Sequence, residues 1–212
     1  MKKFYTAIPL QVGGLVPYLY EPRGNEILRT NRKTAFPILA AAEGYCKKGE
    51  EFQLIAVGTD VPVIRENLEY LRHEPEQLNQ DRGLQGKLIP VLVPDDSSVA
   101  TQAATFQKLI EYAEEDDELF ACMTYGTKPL STALMMAVQY AYRVKKNTII
   151  SCVVYGEVQR ESTDQTQWTG ILHDMTALIR LDELVWRLAE RKVQNPKAAI
   201  DAILSLQKEG SR

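Results

Sequence analysis

Short, continuously apolar runs alternate with longer helix-patterned segments almost from end to end of this chain of 212 residues. "FYTAIPLQ" reads as a first strand, followed by "TAFPILAAAEGYCKK" as a helix with Thr34 as its N-cap and Pro37 in its first turn. "FQLIAVG" is the second strand of this reading. Asp60 then caps "VPVIRENLEYLRHEPEQL", whose Val63, Leu68 and Leu71 form an apolar face. "KLIPVLV", "ELFACMT" and "NTIISCVVYGEV" are further strands, separated by the helical segments "SSVATQAATFQKLIEYAEE" and "STALMMAVQYAYRVKK". Strands that are apolar throughout, rather than on alternate residues, are buried on both faces. The pattern predicts an α/β fold: a Rossmann-like, doubly wound, mostly parallel sheet with helices on both faces, over residues 1–158.

Residues 159–212 are read as an appendage. "QRESTDQTQWTG" is polar and reads as a loop or hairpin tip. "DMTALIRLDELVWRLAERKV" carries Leu178, Leu181, Leu184, Val185 and Leu188 on one helical stripe, and Asn195 and Pro196 break it before "KAAIDAILSLQKEG". These helices are expected to pack on the domain or on a partner.

Composition excludes several classes. With 45% hydrophobic and 25% charged residues, the chain is neither disordered nor membrane-like. No apolar run approaches the roughly 20 residues of a membrane span, and the start has too short an apolar stretch for a secretory signal, so a cytoplasmic home is expected. A net charge of -3 argues against a broad surface for duplex DNA, but a pocket for a small anion needs only local donors. Cys46, Cys122 and Cys152 have no CxxC spacing and read as buried thiols; no metal site and no cofactor are expected. The acidic run "EYAEEDDE" reads as a solvated helix end and loop.

In open parallel sheets, ligands bind beyond the carboxyl ends of the strands, where helix N-termini offer N–H groups. Three segments fall there: "IPLQVGG", "VGTD" and "MTYGTKP". Gly13, Gly14, Gly58 and Gly126 allow close backbone approach, and Gln11, Thr59, Thr127 and Lys128 carry donors. A single Gly-Thr after a strand is usually a turn and a helix cap, whereas three such segments together point to a site for an anion or nucleotide. Lys128 precedes Pro129, which steers it from helical geometry and sets it at the lip of the turn. "RGNEILRTNRK", with Arg23, Arg29, Arg32 and Lys33, reads as a solvated connection or a lid over the same edge. There is no GxGxxG after the first strand, no GxxxxGK[ST] and no GxSxG.

The order of these landmarks resembles the CRISPR-associated Rossmann-fold (CARF) proteins, sensors of the cyclic oligoadenylates of type III CRISPR antiviral defence. "YLYEPRGNEILRTNRKTAFPILAA" is similar to that family's tyrosine-bearing connection, "LIAVGTD" to its second-strand Gly-Thr, and "MTYGTKPLSTALMMAVQYAY" to its fourth-strand turn and helix. "GILHDMTALIRLDELVWRLAE" is similar to the segment after its core, so the likeness spans roughly residues 1–190. Two departures stand out: the first loop is "IPLQVGGLVP" where many relatives carry a Gly-rich or Ser-bearing turn, and "TK" occupies an arginine-like position.

The resemblance implies a homodimer that binds cyclic oligoadenylate, foremost cyclic tetra-adenylate, across its two-fold axis. Pro9, Leu10, Gln11, Gly58, Thr59, Asp60, Tyr125, Gly126, Thr127 and Lys128 would touch the ligand. The effector's Arg-x(4 to 6)-His motif is missing: "RENLEYLRH", Arg65 to His73, has the wrong spacing, and His173 has no suitable arginine upstream. Three readings stay open. The first is a metal-independent ring nuclease in which Lys128 and Thr127 stabilise the phosphate and Gln11 orients the ribose or phosphate; the second is a non-catalytic sensor acting on a partner or an effector domain. The third is a nucleotide-dependent enzyme of generic Rossmann-like fold, which explains the architecture but not the order of landmarks.

Overall fold

The computed structural model describes residues 1–160 and 168–209, so the greater part of "QRESTDQTQWTG" and the final "GSR" lie outside the described residues. The chain divides into two compact units, 1–174 and 175–212.

The first unit is built on a seven-stranded sheet. Its strands are β1 (Lys2–Ala7), β2 (Tyr20–Arg23), β3 (Glu51–Thr59), β4 (Gln85–Val93), β5 (Glu118–Cys122), β6 (Ile149–Gln159) and β7 (Thr169–Asp174). They lie in the order β2-β7-β6-β5-β1-β3-β4, and every neighbouring pair is parallel except β6 and β7. From β1 the chain first lays β2 at the far edge, then comes back through α1 to β3 and β4 on one side of β1, and crosses to its other side for β5 and β6. The order therefore reverses between β1 and β5, and the crevice at their carboxyl ends is the topological switch point.

Helix α1 (Ile38–Tyr45) packs on β1, β5 and β6, while α2 (Pro62–Arg82) packs on β4 and on α1. Helices α3 (Val99–Ile110) and α4 (Lys128–Val144) pack together, α4 against β1, β5 and β6. The core under α1 is aromatic: Phe4 stacks on Phe120 with centroids 4.3 Å apart and meets Phe52 edge-on at 5.3 Å. Such pairs add about 0.5–1.5 kcal/mol each beyond the area they bury. The three cysteines are free and buried.

The doubly wound expectation holds, with corrections at its margins. Strands β2 and β7 were not anticipated, and β7 carries the sheet unit to Asp174, past the boundary expected at 158. Thr34 does not cap α1. That helix begins at Ile38 after Pro37, because the residue before a proline resists helical geometry, and Thr34 instead pairs its backbone with Tyr18. Nor does Asp60 cap α2: the N-cap is Val61, and the Asp60 carboxylate grips Arg65 at 2.7 and 2.9 Å. Lys128 is the first residue of α4 rather than a residue outside it, capped by Thr127. The acidic run is not wholly solvated: Asp117 is 1% exposed and meets Lys3, itself 1% exposed, at 2.9 Å.

The second unit consists of α5 (Thr176–Glu190) and α6 (Pro196–Glu209), which contact each other. The Asn195 side chain accepts from the Ala198 N–H at 3.1 Å as α6 begins. Leu178, Val185 and Trp186 on α5 are exposed. No described helix is long and apolar enough to cross a membrane.

Candidate functional site

Three loops meet at the carboxyl ends of β1, β3 and β5, as the sequence places them. After β1, the Asn67 amide on α2, 4% exposed, donates to the carbonyls of Pro9 (2.8 Å) and Gln11 (3.0 Å) and pins the loop from below. The Gln11 side chain donates to Gly14 O at 2.9 Å, closing a turn in which Gly13 and Gly14 have φ of +87° and +97°. Gln11 and Leu10 are exposed, whereas Pro9 is buried.

After β3, Gly58 is buried and serves packing. A Cβ there would stand 2.6 Å from Ile64 Cγ2 and 3.3 Å from Ile8 Cβ, so its absence admits the first turn of α2. Thr59 is half-buried, and the charge of Asp60 is answered by Arg65, which holds its carboxyl below the usual range.

The turn after β5 is the most constrained of the three. Gly126 has φ +97°, and a Cβ would come within 2.8 Å of Ala7 Cβ, so the turn lies directly on the end of β1. The Tyr125 hydroxyl donates to Ala35 O at 2.6 Å, and burial pushes this phenol well above its ordinary value, so its side chain anchors the turn. Ser131 Oγ donates to Tyr125 O at 3.0 Å, and Thr127 Oγ1 accepts from Leu130 N at 3.4 Å. Pro129 has no N–H, that of Leu130 faces Thr127, and the first N–H groups of α4, as at any helix start, have no intrahelical acceptor. Lys128 is exposed and has no ion pair among the described residues.

A cavity of about 60 Å³ joins two of these loops: Thr59 and Thr127 line it together with Val93, Asp95, Asp96 and Thr101. Lys128 lines a neighbouring, larger groove of about 520 Å³ with Val99, Phe106 and Met136. Pro9, Leu10, Gln11, Gly58, Asp60, Tyr125 and Gly126 line neither.

Sequence reasoning missed the segment after β4. Asp96 accepts from Ser98 N (2.9 Å), Ser98 Oγ (2.6 Å) and Thr101 Oγ1 (2.8 Å), and these bonds hold its carboxyl below the usual range. The signal was in "PDDSSVAT", a capping serine with a carboxylate two residues before it. Asp95 and Asp96 thus face Thr127 across the small cavity, and the edge carries charge of both signs. The reading also left His173 idle. It sits on β7 with its ring on Tyr155 at 6.1 Å, and its Nε2 lies 3.0 Å from Glu157 Oε2. Among the described residues no group of His, Cys, Asp and Glu side chains is arranged to hold a metal ion.

The fold is that of a Rossmann-like α/β protein with a polar cavity at the carboxyl edge of its sheet. No family model matches the chain, and no curated protein matches it.

Proposed function

We propose that the chain binds a cyclic oligoadenylate of type III CRISPR defence, foremost the tetra-adenylate, across the axis of a homodimer, and cleaves it as a ring nuclease. The observation that supports this reading is that three donor-bearing loops, in the order of the CARF landmarks, follow the carboxyl ends of the neighbouring parallel strands β1, β3 and β5, and that two of them share a cavity. Pairing two copies doubles Lys128, Thr127 and the α4 N-terminus around one ring, supplying positive potential that a chain of net charge -3 lacks as a whole.

In the cleavage step a ribose 2′-oxygen attacks the adjacent phosphorus in line, the bond to the 5′-oxygen breaks, and a 2′,3′-cyclic phosphate results. The 2′-proton passes to solvent and the leaving oxygen takes one back. Lys128 and the Thr127 N–H oppose the charge on the phosphate, and Gln11 orients the sugar or phosphate. Holding reactants in line supplies several kcal/mol of the rate effect without a strong base, so turnover is slow.

A second reading, a sensor that binds without cutting, draws support from Asp95 and Asp96 beside Thr127, because carboxylates there oppose added charge on phosphate. Incubation with radiolabelled cyclic tetra-adenylate separates the two. Linear product that disappears in Lys128→Ala supports cleavage, and bound, intact ring supports the sensor. Absence of binding to any cyclic oligoadenylate overturns both.

A further inference from the structure

A third cavity opens on the same edge, away from the β5–α4 turn. It measures about 420 Å³ and is lined by Pro17, Tyr18 and Leu19 ahead of β2, by Trp168 and Thr169 at the start of β7, and by Lys33. Ligand pockets run from about 300 to 1,000 Å³, so this one has room for a nucleotide. β7 runs against β6, and β2 runs with β7, so their first residues stand at the edge where β5 and β6 end. With β6 between them, β7 lies about 10 Å along the sheet from β5.

Its aromatic walls are held in place. Tyr18 exchanges two backbone hydrogen bonds with Thr34, each 3.0 Å, and its ring meets that of Tyr20, 1% exposed, edge-on at 6.4 Å. The Arg160 guanidinium lies 4.9 Å over the Trp168 ring. Glu21 also lines the cavity, but Arg29 binds its carboxylate at 2.8 Å. Arg29 is shared with Glu26 at 2.9 Å, whereas Lys33 is exposed and has no ion pair among the described residues.

Fixed aromatic faces beside an unanswered ammonium suit a planar base that carries a phosphate. We infer that this cavity is a nucleotide-binding subsite, in which a base stacks on Tyr18 and Trp168 while its phosphate meets Lys33, with Arg160 at the rim. It stands apart from the cyclic-ligand reading, because a single nucleotide fills it. The nucleotide comes either free or as one unit of a longer strand.

The test uses the full chain carrying Trp186→Phe, which leaves Trp168 as the one fluorophore of its kind. Adenosine 5′-monophosphate, adenosine, inorganic phosphate and linear triadenylate are titrated separately. The monophosphate is expected to quench Trp168 saturably, and Lys33→Ala to weaken it about tenfold while leaving adenosine unchanged. Tyr18→Leu is expected to weaken both by at least about fivefold, with its fold checked by circular dichroism. Tighter binding of triadenylate than of the monophosphate identifies a strand unit, and equal binding a free nucleotide. The inference is overturned by absent saturable quenching, by equal quenching from phosphate alone, by a Lys33→Ala variant that binds as before, or by loss of quenching in Lys128→Ala. The last result moves the nucleotide to the β5–α4 turn and leaves the ring reading standing.

Discussion

The two ends of the sheet handle charge in opposite ways. At the amino end, Lys3 is 1% exposed and its ammonium meets Glu114 and Asp117, each at 2.9 Å, while the chain's own amino group approaches Asp117 at 3.3 Å. The carboxylate of Asp117 also accepts from the Glu114 N–H at 2.7 Å. At the carboxyl end, Lys128, Asp95 and Asp96 stand in or near solvent, and the pair of Asp60 and Arg65 is exposed. The buried charges at the amino end are paired with one another, although Asp117 Oδ1 accepts no hydrogen bond from the described residues, whereas the charges at the carboxyl end stay open to solvent. The amino end is thus held by buried charges, and the carboxyl end leaves its charges at the surface.

Removing the Asp117 carboxylate should show the largest effect, because Asp117→Ala leaves a buried ammonium short of its partner. The expected cost is about 3–5 kcal/mol, a fall in Tm of roughly 6–20 °C in a thermal melt. A melt within a degree or two of the parent erases the contrast between the ends. Gly126→Ala tests whether part of the carboxyl end is also architecture. Its φ of +97° and the 2.8 Å approach to Ala7 predict a loss of about 1–3 kcal/mol in a denaturant titration. An unchanged midpoint would mean that the turn relaxes and is not held on β1.

The smallest effect concerns Glu74, a buried carboxylate between the two ends. It accepts from Thr34 Oγ1 and from Ala35 N, and burial pushes it above its ordinary value of 4.5. The folded chain therefore holds a proton that the unfolded chain releases just above pH 4.5, and this group's contribution to stability falls as pH rises through that window. Glu74→Gln should flatten the pH dependence of Tm there, by an amount read as the difference between parent and variant. Parallel curves would place the proton elsewhere.

Much of the sheet was legible because β1, β3 and β5 are buried over most of their length on both faces, and they read, with the middle of β6, as largely apolar runs. Strand β2, "YEPR", was not. It is four residues long, two of them charged and one a proline, which an outermost strand tolerates because part of its backbone needs no partner. Strand β7 was hidden for another reason: "GILHD" runs into the helical pattern of α5, and a short apolar run has no period of its own. The burial of Asp117 was illegible because its partner, Lys3, lies more than a hundred residues away in sequence, and no local pattern reports such a pair. At the site, the three loops were placed correctly by topology alone. What escaped was division of labour: Gly58 and Tyr125 look like ligand residues in sequence but are committed to packing and anchoring, while Asp96 looked like loop and faces the cavity.

Helix α2 has a consequence in mechanical terms. Asn67 holds the loop after β1, and Glu74, seven residues further along the same helix, holds Thr34 and Ala35 in the connection before α1. Ala35 in turn receives the Tyr125 hydroxyl from the turn before α4. One rod thus carries the tethers of two segments, and through Ala35 a third is tied to it. A ligand that shifts any of the three pulls on a common rail, so the crevice moves as a linked frame rather than as three independent loops.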